Sequence, residues 1–199
     1  MARRLLITVC ISSLLALMAG AAGGASPLAR RDAMESARLT DDEVRTQVWT
    51  YLSSIDTPIG ASLWKALGPR AAPVLVEIAN DKDNFPTFRA KALDALSIVG
   101  AANAAATFRA AAGDDSEPFV VRFSAMRGLA KSGEPKSSRG DLASILSGTG
   151  DARIRAAAAE AMARADAQGS CALVQAQASR ETDDAQRYFQ RALRLCKGQ

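Results

Sequence analysis

The chain contains no histidine at all. That removes histidine-based triads, histidine general bases and the commonest metal-ligating side chain. Aromatic residues are only 5% of the 199 positions, so any core must be built from small aliphatic side chains at close approach. Cysteine occurs three times, and one of these, Cys10, lies in the apolar leader. Charge of one sign is also scarce: 25 basic residues face 21 acidic ones. With Arg3 and Arg4 removed alongside the leader, that excess halves and leaves no basic footprint for nucleic acid. No elbow around a serine or cysteine and no glycine-rich phosphate cradle is found, so no catalytic residue is nominated. No cofactor is expected. Asp81-Lys82-Asp83-Asn84-Phe85-Pro86 is acidic but lacks the glycine and later glutamate of a calcium loop, so no metal is expected either.

What is present begins with an export signature. Arg3 and Arg4 precede an apolar stretch from Leu5 to Met18, followed by small residues up to Ala25. The run is shorter than the roughly 20 residues that span a bilayer. Residues 1–25 therefore read as a cleaved signal peptide, after Ala21 or Ala25, and the mature protein as periplasmic or secreted, with no membrane span. Residues 26–39 read as a flexible leader.

From residue 40 onward the pattern is helical. Thr40-Asp41-Asp42-Glu43 is a capping box, opening a helix that should bury Val44, Val48, Tyr51 and Leu52. Thr57 and Pro58 read as the cap and first residue of a second helix, stopped by Gly68-Pro69. Then comes a repeat. Arg89, Arg122 and Arg155 recur every 33 residues, each after a bulky apolar residue and before an alanine-rich helix. Each is preceded by a second helical stripe: Ala71, Val74, Leu75 and Ile78; Ala104, Thr107, Phe108 and Ala111; Leu142, Ile145 and Leu146. The third stripe is displaced by one residue, which places an extra residue between Gly133 and Gly140. Lys131 to Gly140, having no apolar anchor, reads as a mobile linker. A last pair, at about 169–179 and 183–196, lacks the arginine and reads as a terminal cap.

These residues resemble HEAT-like repeats of the kind found in the phycocyanobilin lyase group. The likeness is carried by Ala66-Leu67-Gly68-Pro69-Arg70-Ala71-Ala72-Pro73-Val74-Leu75 and by Phe88-Arg89, Val121-Arg122 and Ile154-Arg155. Tetratricopeptide repeats have a similar length but lack this arginine. The resemblance covers about half the chain, from Ala66 to Asp166, and implies an all-α solenoid of about five antiparallel helical hairpins. Residues 40–68 would form an N-terminal cap, 69–166 three repeats and 167–199 a C-terminal cap. It also implies that Arg89, Arg122 and Arg155 are structural, tying units together through turn carbonyls and carboxylates. It says little of activity, because repeat positions are structural.

The second helices of such pairs usually line the concave side. Their solvent-facing positions form rows: Asp94, Arg127 and Glu160; Ile98, Lys131 and Arg164; Lys91, Ser124 and Ala157. The candidate binding face is therefore Lys91, Asp94, Arg127, Lys131, Glu160 and Arg164. The expected function is a non-enzymatic, monomeric scaffold or adaptor that binds a protein or peptide there. A purely structural envelope component and a bilin lyase-like enzyme are the alternatives. Acidic residues in the turns (Asp81, Asp83, Asp114, Asp115, Glu117, Asp151, Asp183, Asp184) would form an acidic rim. Finally, Cys171 and Cys196 lie at similar distances from the last bend, so antiparallel helices bring them level. In an oxidising compartment that predicts a disulfide.

Overall fold

A computed structural model describes residues 39–55, 58–132, 135–148 and 150–198. Residues 1–25, 26–38, Thr57 and the proposed cleavage sites lie outside the described residues. Among those described, every regular element is a helix and none is long and apolar enough to cross a membrane. The helices are α1 (Asp41–Leu52), α2 (Ala61–Leu67), a 3-10 turn (Gly68–Ala71), α3 (Ala72–Asn80), α4 (Pro86–Val99), α5 (Ala104–Gly113), α6 (Phe119–Lys131), α7 (Pro135–Gly148), α8 (Ala152–Ala165), α9 (Ala167–Ala178) and α10 (Asp183–Cys196).

Local chemistry explains several of the boundaries. Thr40 accepts from the Glu43 amide while the Glu43 carboxylate takes the Thr40 amide, so both halves of the capping box form at α1. Such a cap is worth about 1 kcal/mol. Gly68 ends α2 at φ 65°, a conformation that costs a side-chain-bearing residue but not glycine. Pro86 opens α4, where its missing N–H costs nothing.

Contacts run in two rows. In one, α1 meets α3, α3 meets α5, α5 meets α7 and α7 meets α9; in the other, α2, α4, α6, α8 and α10 follow in the same way. Each row also packs on the other, so one continuous core threads between them. The three stripes expected from the sequence enter it. Ala71, Val74, Leu75, Ile78, Ala104, Thr107, Phe108, Ala111, Leu142 and Leu146 are buried, although Ile145 is only half-buried. Close approach relies on missing side chains: a Cβ on Gly128 of α6 would lie 2.5 Å from the Phe108 ring of α5.

Two expectations require correction. The second helix starts at Ala61, with Gly60 as its cap, and Pro58 to Gly60 are not helical. Leaving that stretch irregular lets Ile59 reach the core. Within Lys131 to Gly140, residues 133 and 134 lie outside the described residues and most of the rest is helical, because α7 begins at Pro135. Its anchors are polar rather than apolar: the buried Ser138 hydroxyl bonds Ser132 at 2.9 Å, and Arg139 pairs with Asp166 at 3.2 Å. The compensating shortening falls in the next turn, where 149–151 separate α7 from α8, against 81–85 and 114–118 in the preceding pairs.

Candidate functional site

The repeat arginines point inward. Arg89 Nε donates to the Ala79 carbonyl at 2.9 Å, and Arg122 Nε donates to the Ala112 carbonyl at 3.0 Å. Donor and acceptor both advance by 33 residues, so in these two pairs one hydrogen bond closes the first helix onto the second. The carboxylate partners differ. Arg89 reaches Glu117 of the following turn at 2.6 Å with both side chains buried. Arg122 takes Asp115 of its own turn, which is 77% exposed. Arg155 is held by both oxygens of Glu181, at 2.7 and 2.5 Å, and these bonds keep the Glu181 carboxyl below the usual carboxylate range.

These pairings revise the acidic rim. Asp114 is bound by Lys82 at 2.9 Å, Asp115 by Arg122, Glu117 by Arg89 and Asp151 by Arg153. Four of the eight turn carboxylates are thus matched by cations, Asp114 and Glu117 by residues of the preceding helical pair and Asp115 and Asp151 by arginines just after their own turns. The sequence contained Glu117 and Glu181 at 28 and 26 positions beyond their arginines, but no rule of spacing singled them out.

The face of α4, α6, α8 and α10 carries the predicted binding residues, with changes. Lys91 is occupied, its ammonium donating to the carbonyls of Leu52 and Ser54 at 2.9 and 2.8 Å. Its row does not continue outward, since Ser124 and Ala157 are buried at that depth between the helices. Asp94 is half-buried. Its Oδ2 accepts from Ser124 at 3.3 Å and lies 3.6 Å from Arg127, while Oδ1 is shielded without a hydrogen bond. Burial pushes the Asp94 carboxyl above its ordinary value, and the opposing pull of Arg127 is weaker.

Arg127, Lys131, Glu160 and Arg164 do converge, in an open cleft of about 470 Å³ with Phe123, Ala130 and Arg191. Glu160 Oε1 accepts from Arg164 Nε at 3.0 Å and forms an ion pair with Arg191 at 3.1 Å. Arg191 was not anticipated, because α10 lacks the repeat motif. A signal existed: at an offset of 34, Arg191 continues the row of Ala157, as Ala192 continues Ala158. Aromatic rings border this cleft. Phe123 stacks on Phe119 at 5.7 Å, and Arg127 and Arg153 lie over their faces at 5.8 and 5.5 Å. A second cleft of about 290 Å³ sits beside α4, walled by Tyr51, Ile59, Trp64, Ala95 and Ile98.

The guanidinium groups of this face pair with Asp94 and Glu160, whereas the ammonium groups of Lys91 and Lys131 are held by backbone carbonyls and by the Ser97 hydroxyl. Among the described residues, no group of three histidine, cysteine or acidic side chains is placed to hold a metal ion. At the far end, Cys171 of α9 and Cys196 of α10 stand at disulfide distance with Cα atoms 5.5 Å apart. Comparison with models of protein families, with curated proteins and with solved structures finds no match to this chain.

Proposed function

We propose that the protein is an exported, non-enzymatic adaptor, built as a HEAT-like solenoid of about five helical hairpins, that binds a protein or peptide on the face of α4, α6, α8 and α10. The observation that carries this reading is the convergence of Arg127, Lys131, Glu160 and Arg164 from two helices into one open cleft. Side chains 33 residues apart in sequence converge there, as the two-row stacking of the helices requires. The solenoid reading is supported by the Arg89–Ala79 and Arg122–Ala112 hydrogen bonds, whose common period matches stacked units. Export is supported by the apolar leader and by a cysteine pair suited to an oxidising compartment.

The test is a capture experiment from an envelope fraction, run in parallel with wild type and the Arg127→Glu/Lys131→Glu variant. Both positions are exposed on one side of α6, so helix content should survive, as circular dichroism can check. A partner retained by wild type and lost by the variant is expected. Identical capture by the two proteins removes this face from the function.

A further inference from the structure

The two clefts differ in character and are linked by the Asp94–Arg127 pair, one residue from each lining. One is mainly apolar, walled by Trp64, Ile59, Ala95 and Ile98, with Lys91 and Asp94 also in its lining. The other sets four cations, Arg127, Lys131, Arg164 and Arg191, against the single carboxylate of Glu160, which already serves two of them. Asp94 lines the first cleft and faces Arg127, which lines the second. At 3.6 Å that pair is too long for a direct hydrogen bond, so the guanidinium is available to an incoming acceptor. Lys131 donates to the Ser97 hydroxyl at 3.4 Å and lies within electrostatic reach of Asp94.

We infer that the two clefts form one bipartite groove for an acidic peptide segment, whose carboxylates enter the cationic cleft while an apolar side chain of the same segment fills the cleft beside Trp64. This rests on the adaptor reading and narrows it to one partner chemistry. Charge complementarity selects an anion, and the apolar cleft selects among anions. A nucleic acid or an anionic glycan brings charge without an aliphatic side chain, and a lipid surface is too flat to enter either concavity. A peptide carries both on one backbone. Packed helices lie about 10 Å apart, and an extended chain advances about 3.3 Å per residue. The apolar residue is therefore about three or four positions from the first acidic one.

The experiment is fluorescence anisotropy on the intact chain with three labelled decapeptides. All carry a leucine three positions from a block of four residues, which is acidic, neutral or basic. The acidic peptide should bind, and weaken about tenfold or more as salt rises from about 50 to 300 mM. Lys131→Glu should weaken it about tenfold, and Lys131→Ala by less, with helix content unchanged. Replacing the peptide's leucine by serine should cost about tenfold, as expected for losing one buried aliphatic side chain. Equal binding of the neutral or basic peptide overturns the inference, as does acidic-peptide binding indifferent to Lys131→Glu. Binding of an oligonucleotide or sulfated glycan with no binding of the acidic peptide also overturns it. If no peptide binds while envelope capture still depends on Arg127 and Lys131, the inference falls and the adaptor reading stands. If capture too is indifferent, both fall.

Discussion

At the scale of single residues, the three repeat arginines share a role but not an energy. Arg89 and Glu117 are both buried, and Glu117 keeps one oxygen shielded without a hydrogen bond. Removing Arg89 leaves Glu117 buried with only the exposed Lys82, at 3.7 Å, to balance it, a loss of up to about 3–5 kcal/mol, whereas replacing both buried partners by apolar side chains costs far less. Urea denaturation of Arg89→Met, Glu117→Met and the double variant should therefore show a double-variant loss smaller than the Arg89→Met loss. Arg122→Met should cost about 1–2 kcal/mol, because Asp115 remains in water and only the Ala112 carbonyl loses its donor. Additive losses at Arg89 and Glu117 would show that the pair is not coupled. Asp94 behaves in the opposite sense to a stabilising carboxylate. Its pKa is raised by burial, so the folded state favours the protonated form, and stability falls as pH climbs from the unfolded value through the folded one. Asp94→Asn should thus melt close to wild type near pH 3 and above it near pH 7. A difference that does not grow with pH would contradict the burial argument.

At the scale of elements, the α5–α6 contact shows one effect overriding another. Gly128 sits in the interior of α6, where alanine ordinarily stabilises a helix by about 0.5–1 kcal/mol. Here the added Cβ would meet the Phe108 ring at 2.5 Å, and overpacking of that kind costs about 1–3 kcal/mol. The steric term is the larger, so Gly128→Ala should lower the thermal midpoint, and Phe108→Leu in the same background should recover part of the loss. A stabilised Gly128→Ala would mean that α5 moves aside cheaply. The start of α7 makes a related point. A proline at its first turn, the Ser132–Ser138 hydroxyl pair and the Arg139–Asp166 bridge convert a segment without apolar anchors into helix.

At the scale of the molecule, α9 and α10 pack chiefly on α7, α8 and each other, so among the described residues this last pair is supported from one side. The Cys171–Cys196 pair lies in the last pair of helices and joins positions 25 residues apart. A crosslink over such a loop stabilises by about 3–4 kcal/mol. Reductant should therefore lower the melting temperature of the wild type and speed amide exchange in α9 and α10, with α4 to α6 little changed. The Cys171→Ser/Cys196→Ser variant should be indifferent to reductant. Two alkylatable thiols in the unreduced protein would exclude the crosslink.

The sequence alone determined the all-helical class, because the 3.6-residue stripes, the Thr40–Glu43 capping box and the prolines and glycines at helix ends all act within a few residues. The period of 33 located the three arginines, and antiparallel geometry placed Cys171 level with Cys196, since equal rise from a common bend needs no knowledge of neighbours. Tertiary structure decided which partners those arginines take, and which positions of the outer face stay open. Lys91 is diverted to the Leu52 and Ser54 carbonyls, Ser124 and Ala157 sink between helices, and Arg191 enters the cleft from a helix without the motif. Each outcome depends on how far a helix rotates about its axis when it packs. That rotation is set by contacts such as Phe108 on Gly128, between residues brought together only by the fold.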